Sequence, residues 1–166
     1  MTTQMRVAAG VPTGGEFAAH DRPDAELALP FEVTTTSGWT TTVTPGVLDA
    51  AAEAYYTQGQ CLALAVAVAE AQGQDSVYVE MIEDEITGEY RLLHAYAFDR
   101  HDEETLLDVE GTIGQWDLPT ERDGRDIDGG PWSLDDARTF VGTGVPEQRF
   151  DIAATHAPLV IRKFGR

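Results

Sequence analysis

From Cys61 to Ala69 every position is apolar, in the order Cys-Leu-Ala-Leu-Ala-Val-Ala-Val-Ala. A helix with no polar face has to be covered on all sides, so this run predicts the central helix of a fold rather than a surface one. Gly59 interrupts the chain just before it, and Glu70 to Gln74 carry the chain out. Upstream, Thr44-Pro45 predicts a helix start, with the threonine as cap and the proline in the first turn. That helix runs to about Tyr56 and puts Leu48, Ala51, Ala52 and Tyr55 on one face. Earlier still, the threonine- and valine-rich stretch from Leu27 to Val43 flanks Ser37-Gly38 and reads as a hairpin.

Downstream, the pattern changes to strands at Val77 to Ile82, Tyr90 to Phe98 and Thr105 to Val109, joined by turns over Glu83 to Glu89 and Asp99 to Glu104. After Trp116 the chain reads as irregular. A short helix follows at Ser133 to Val141, capped by Ser133, and the stretch from Phe150 to Phe164 reads as a last helix or a helix plus strand. The predicted fold is α+β: a single domain over residues 29–166, with a central buried helix packed on an antiparallel sheet. Residues 1–28, broken by Gly10, Pro12, Gly14 and Gly15, read as a flexible leader.

Composition narrows the partners. A net charge of −18, from 29 acidic against 11 basic residues, makes nucleic-acid phosphates and anionic membranes repulsive and leaves room for a basic partner. No segment approaches the ~18 apolar residues of a membrane span, and no basic-then-apolar secretory signal opens the chain. The expectation is therefore a cytoplasmic protein. One cysteine excludes an internal disulfide framework and a multi-cysteine zinc site. Asp123 to Gly130 has the aspartate and glycine density of a calcium loop, but Leu134 stands where the closing glutamate belongs. Neither a metal nor a cofactor is expected. Trp39, Trp116 and Trp132 read as packing residues, His101 as solvated, and His20 and His156 as histidines without a visible partner.

Cys61 opens the apolar helix and is followed by His94 on one strand and Asp108 on the next. Unpaired amides at a helix start favour a thiolate, and an imidazolium in reach favours it further. His94 is the candidate base, and Asp108 the carboxylate that would hold its tautomer. A hairpin closed over Asp99 to Glu104 sets position 94 opposite 108 or 109. His94 also falls in the alternation Leu92, His94, Tyr96, Phe98, which predicts a ring facing the helix layer. Gln58 or Gln60, with the Cys61 amide, are candidate oxyanion donors. The plain alternative for a lone cysteine in such a helix is a small buried hydrophobe.

A helix-initial cysteine, then a strand histidine, then a strand aspartate resembles the papain-like and transglutaminase-like superfamily. Gly59-Gln60-Cys61-Leu62-Ala63-Leu64-Ala65, Leu93-His94-Ala95-Tyr96 and Leu107-Asp108-Val109-Glu110-Gly111 are similar to small actinobacterial and phage proteins reading G-Q-C-x-A-L-A, H-x-Y-V and L-D-x-x-G. Gly10-Val11-Pro12-Thr13-Gly14-Gly15-Glu16-Phe17-Ala18 resembles a G-V-P-T-G-G-Q-F-A leader found on otherwise unrelated proteins of that lineage. The resemblance implies nucleophile, base and orienting roles for Cys61, His94 and Asp108. Tyr55 stands where papain-type proteases carry their oxyanion glutamine, and Leu62 where transglutaminases carry a tryptophan. The expected function is a cysteine-dependent acyl-transfer enzyme acting on an amide or isopeptide of a protein or peptide. The alternative is a non-enzymatic acidic binding or virion protein of an actinobacterial phage or mobile element. The leader is expected to dock on a protein partner through Arg6, Val11 and Phe17.

Overall fold

The computed structural model describes residues 29–34, 38–142 and 145–165. The leader, with Arg6, Val11 and Phe17, lies outside the described residues. The elements are β1 (Phe31–Thr34), β2 (Thr40–Val43), α1 (Ala50–Tyr55), α2 (Cys61–Gln72), β3 (Ser76–Glu83), β4 (Tyr90–Asp99), β5 (Asp102–Leu107) and β6 (Thr112–Gly114). They continue with β7 (Glu121–Arg122), β8 (Arg125–Asp126), β9 (Asp128–Ser133), α3 (Leu134–Thr139) and α4 (Phe150–Phe164).

The predicted α+β architecture is present, with α2 at its centre. All nine residues from Cys61 to Ala69 are buried. One cover is a five-stranded antiparallel sheet in the order β6-β5-β4-β3-β9. The other is α4, whose Ile152, Ala153, His156, Ala157 and Val160 recur at helical spacing and are buried. Leu62, Val66 and Val68 are fully buried between these layers, and each such side chain contributes roughly 1.5–3 kcal/mol. Val77, Val79, Met81, Ala95 and Ala97 join α2 in this main core. Tyr78 and Tyr96 turn to the opposite side of the sheet, where they cluster with Leu106 and, at its margin, Phe98.

Three expectations are corrected here. No helix starts at Thr44-Pro45: Gly46 takes a φ of 76°, which ends a tight turn there. The helix starts instead after Asp49, whose Oδ1 accepts the N–H groups of Ala51 and Ala52 at 3.0 Å. The stretch after Trp116 is not irregular either. β7 and β8 form a short hairpin, and β9 is the fifth strand of the main sheet, paired with β3. Its Gly129-Gly130-Pro131 does not look like a strand, yet proline is tolerated on an edge. A Cβ at Gly129 would come within 2.5 Å of the Tyr78 hydroxyl, so that crossing needs a glycine. Trp132 packs on the core as expected, whereas Trp39 and Trp116 are exposed. Among the described residues, no helix is long and apolar enough to cross a membrane.

Candidate active site

The site begins with a broken helix. Between α1 and α2 the chain makes a wide turn over Tyr56–Gln60, in which Gly59 adopts a φ of 125°. That conformation and a gap of 2.8 Å from its would-be Cβ to Pro146 exclude any side chain there. The interruption makes Cys61 the first residue of α2. The turn is clamped by the 145–149 segment. The Gln148 amide donates to the carbonyls of Gly59 at 2.7 Å and Pro146 at 2.9 Å, and its oxygen accepts the Ala63 N–H at 3.0 Å. Sequence reasoning missed Gln148, because no local pattern ties it to a turn some ninety residues earlier.

Gln60 is committed in the same clamp. Its amide donates to the Glu147 carbonyl at 2.8 Å, its oxygen accepts the Arg149 N–H at 2.8 Å, and it is buried. Gln58 is half-buried in the wide turn beside the cysteine.

His94 and Asp108 do meet, by a different route from the expected register. β4 and β5 are joined by a two-residue turn, and Ala97 pairs with Leu107 and Phe98 with Leu106. Continued, that register would set His94 level with Glu110. Asp108 instead lies just past the end of β5, where its Oδ1 accepts the N–H groups of Glu110 at 2.8 Å and Gly111 at 3.0 Å. This local turn fixes the carboxylate, and His94 Nε2 donates to its Oδ2 at 2.9 Å.

Nor does His94 share the helix-facing side of β4. A bulge in the pairing with β3 lets Leu92 and Ala95 both join the main core, and the His94 ring stacks obliquely on Tyr96, 4.5 Å between centroids. β5 pairs with β4 only from Ala97 onward. Beside His94 the sheet is thus open, and there Cys61, His94 and Asp108 line one small enclosed space with Tyr56, Leu64 and Val109.

Burial pulls the His94 imidazolium down, but hydrogen bonding and charge attraction from Asp108 and Cys61 outweigh it and hold the pKa up at about 10. Burial acts to raise the Asp108 carboxyl, and the bonds from His94, Glu110 and Gly111 more than reverse it, leaving it below the ordinary carboxylate value. With Nε2 taken by Asp108, Nδ1 is the ring nitrogen left for the thiol.

The space around Cys61 is too small for a water molecule, and the residue is 6% exposed. On the outer side of the His94–Asp108 pair a cleft of about 410 Å³ opens, lined among others by Thr57, Glu80, Tyr96 and Arg122. Behind the site, His156 has partners after all. It is fully buried, with Nδ1 2.8 Å from the Tyr56 hydroxyl and Nε2 3.1 Å from the carbonyls of both Thr44 and Val47. Comparison of the chain with protein-family models, curated proteins and solved structures gives no match.

Proposed function

We propose that the protein is a cysteine-dependent acyl-transfer enzyme of the papain-like and transglutaminase-like kind, acting on an amide or isopeptide bond as peptidase, deamidase or transferase. One observation carries this reading: a thiol at the first residue of a helix lines one small space with an imidazole that a carboxylate holds by one ring nitrogen. The reacting form is the Cys61 thiolate beside the His94 imidazolium. The sulfur attacks the carbonyl carbon, and the carbonyl electron pair moves onto oxygen, where the Cys61 N–H and Gln58 are the candidate donors. The adduct collapses, the C–N bond breaks, and His94 gives its proton to the departing nitrogen. Water, or an amine in a transferase, then attacks the thioester carbon while His94 accepts its proton. The thiolate leaves and the starting pair is restored. Asp108 keeps the imidazole in the required tautomer throughout.

A second reading has its own observation. Cys61 is buried among core residues with no room for water, as a sealed thiol in a non-enzymatic binding or virion protein would be. Two measurements separate them. Iodoacetamide should alkylate the folded protein at Cys61, and a peptide mixture with hydroxylamine should yield cleaved, deamidated or hydroxamate products that vanish in Cys61→Ala. A thiol that reacts only in denaturant, with no Cys61-dependent product, overturns the enzyme.

A further inference from the structure

The carboxylate of Glu80 has no complete explanation within the fold. Glu80 sits on β3 directly across from His94, is 5% exposed, and lines the cleft on the outer side of the His94–Asp108 pair. Its Oε2 accepts the Tyr96 hydroxyl at 3.1 Å, whereas its Oε1 is buried with no hydrogen-bond partner. A buried carboxylate with one oxygen unbonded is costly, because that oxygen has given up its water for nothing. Burial accordingly pushes its pKa up, against the Tyr96 hydrogen bond and the charges of His94 and Arg122. A hydrophobic residue would suit a purely structural position beside Tyr78, Tyr96 and Leu106 better. Around Glu80 the cleft also carries Asp108, Glu110 and Glu121, against Arg122 and His94. The missing group is a hydrogen-bond donor, and a positive one matches both that wall and the charge of the whole chain.

We infer that Glu80 and Tyr96 form a subsite for a cationic side chain of the substrate, a lysine ammonium or an arginine guanidinium, across the His94–Asp108 pair from the thiol. The inference names the substrate class of the proposed acyl-transfer site and rests on that reading, but the binding step does not need the thiol to react. The ligand's N–H completes Oε1, and Tyr96 holds Oε2 so that the carboxylate presents one fixed edge. About 410 Å³ accommodates one long side chain with part of its backbone.

The test uses the full chain and three acetylated, amidated tripeptides, Gly-Lys-Gly, Gly-Arg-Gly and Gly-norleucine-Gly, titrated by NMR against wild type and Cys61→Ser. The lysine and arginine peptides should bind about tenfold or more tightly than the norleucine one, as expected for one charge-assisted hydrogen bond. Glu80→Gln, which keeps shape and the Tyr96 contact, should remove that preference while melting no lower than wild type. Equal binding of all three peptides, or no binding of any, overturns the subsite without reference to the thiol. So does a charge preference that survives Glu80→Gln. A charge preference confined to Glu80-bearing protein, together with an unreactive Cys61, keeps the cation site and removes the acyl-transfer chemistry.

Discussion

His94 and His156 approach the central helix from its two covers, the sheet and α4, and each is hydrogen-bonded through its ring, yet their partners set them to different work. His156 meets two backbone carbonyls at Nε2 and a tyrosine hydroxyl at Nδ1. Carbonyls only accept, so Nε2 carries a proton, while Nδ1 lies within reach of the Tyr56 hydroxyl at 2.8 Å and of the Ile152 carbonyl at 3.3 Å. Every partner belongs to the fold, and the ring pins α4 to the residues before α1. His94 meets a carboxylate at one nitrogen and a thiol on its other side, so its neighbours are the groups that change charge in acyl transfer. Burial differs only in degree, complete for His156 and partial for His94, and does not by itself separate their work. Partner chemistry does: one histidine is a structural clamp, and the other has the partners that the proposed acyl transfer asks of a base.

The largest effect should come from turning the His94 ring. In Asp108→Asn the new amide can still accept the Glu110 and Gly111 N–H groups, so the local turn survives. The amide nitrogen then faces Nε2 and favours the tautomer that points a proton at sulfur. Cys61-dependent product formation should fall about 10²- to 10⁴-fold with the melting temperature little changed. A variant that keeps its rate would remove Asp108 from the site. For His156 the balance should invert. His156→Ala leaves the Tyr56 hydroxyl without its imidazole and the Thr44 and Val47 carbonyls without its N–H, around a cavity, which should cost about 3 kcal/mol, or roughly 10 °C in Tm. The intrinsic rate of the surviving folded fraction, measured well below the melting point, should hardly move. Loss of rate with no loss of stability would make His156 part of the chemistry.

The smallest effect is a pH signature. With its pKa raised from 6.5 to about 10, His94 adds stability that is fully present below 6.5 and lost as pH rises through about 10. Asp108, lowered from 3.8, adds stability present above that value and lost as pH falls through its folded pKa. Anionic iodoacetate should therefore be favoured over neutral iodoacetamide at Cys61 while the imidazolium is charged. Their rate ratio should drop several-fold as pH crosses about 10. His156→Ala should show the same drop, and His94→Gln should show none. A flat ratio in the wild type would mean that no imidazolium stands beside the sulfur.

Much of the scaffold was readable because its signals are local. The nine-residue apolar run, the Gly59 break and the Ser133 cap correspond to α2, to the turn ahead of it and to α3. Thr44-Pro45 and Asp49 are both acceptable helix starts by local chemistry, and the positive φ of Gly46 is what turns the chain before a helix can begin at the first. β9 was missed because an edge strand that must pass close to the Tyr78 hydroxyl carries glycines, which read as loop. The order Cys61, His94, Asp108 was legible, but the path by which they meet was not. A one-residue bulge in β4 put Leu92 on the helix-facing side and left His94 with Tyr96 on the other, and an irregularity between Phe98 and Asp99 shifted the register that leads to Asp108.

The sequence by itself determined which segments had to be inside and where helices could begin, since periodicity, caps and glycine conformations act within a few residues. Only the tertiary structure decided that Gln60 is spent on the 147–149 backbone, that Gln148 holds the cysteine turn, and that His156 clamps Tyr56. It also left one oxygen of Glu80 without a partner. These are contacts between residues far apart in the chain. Each depends on how three layers pack, which no window of a few residues encodes.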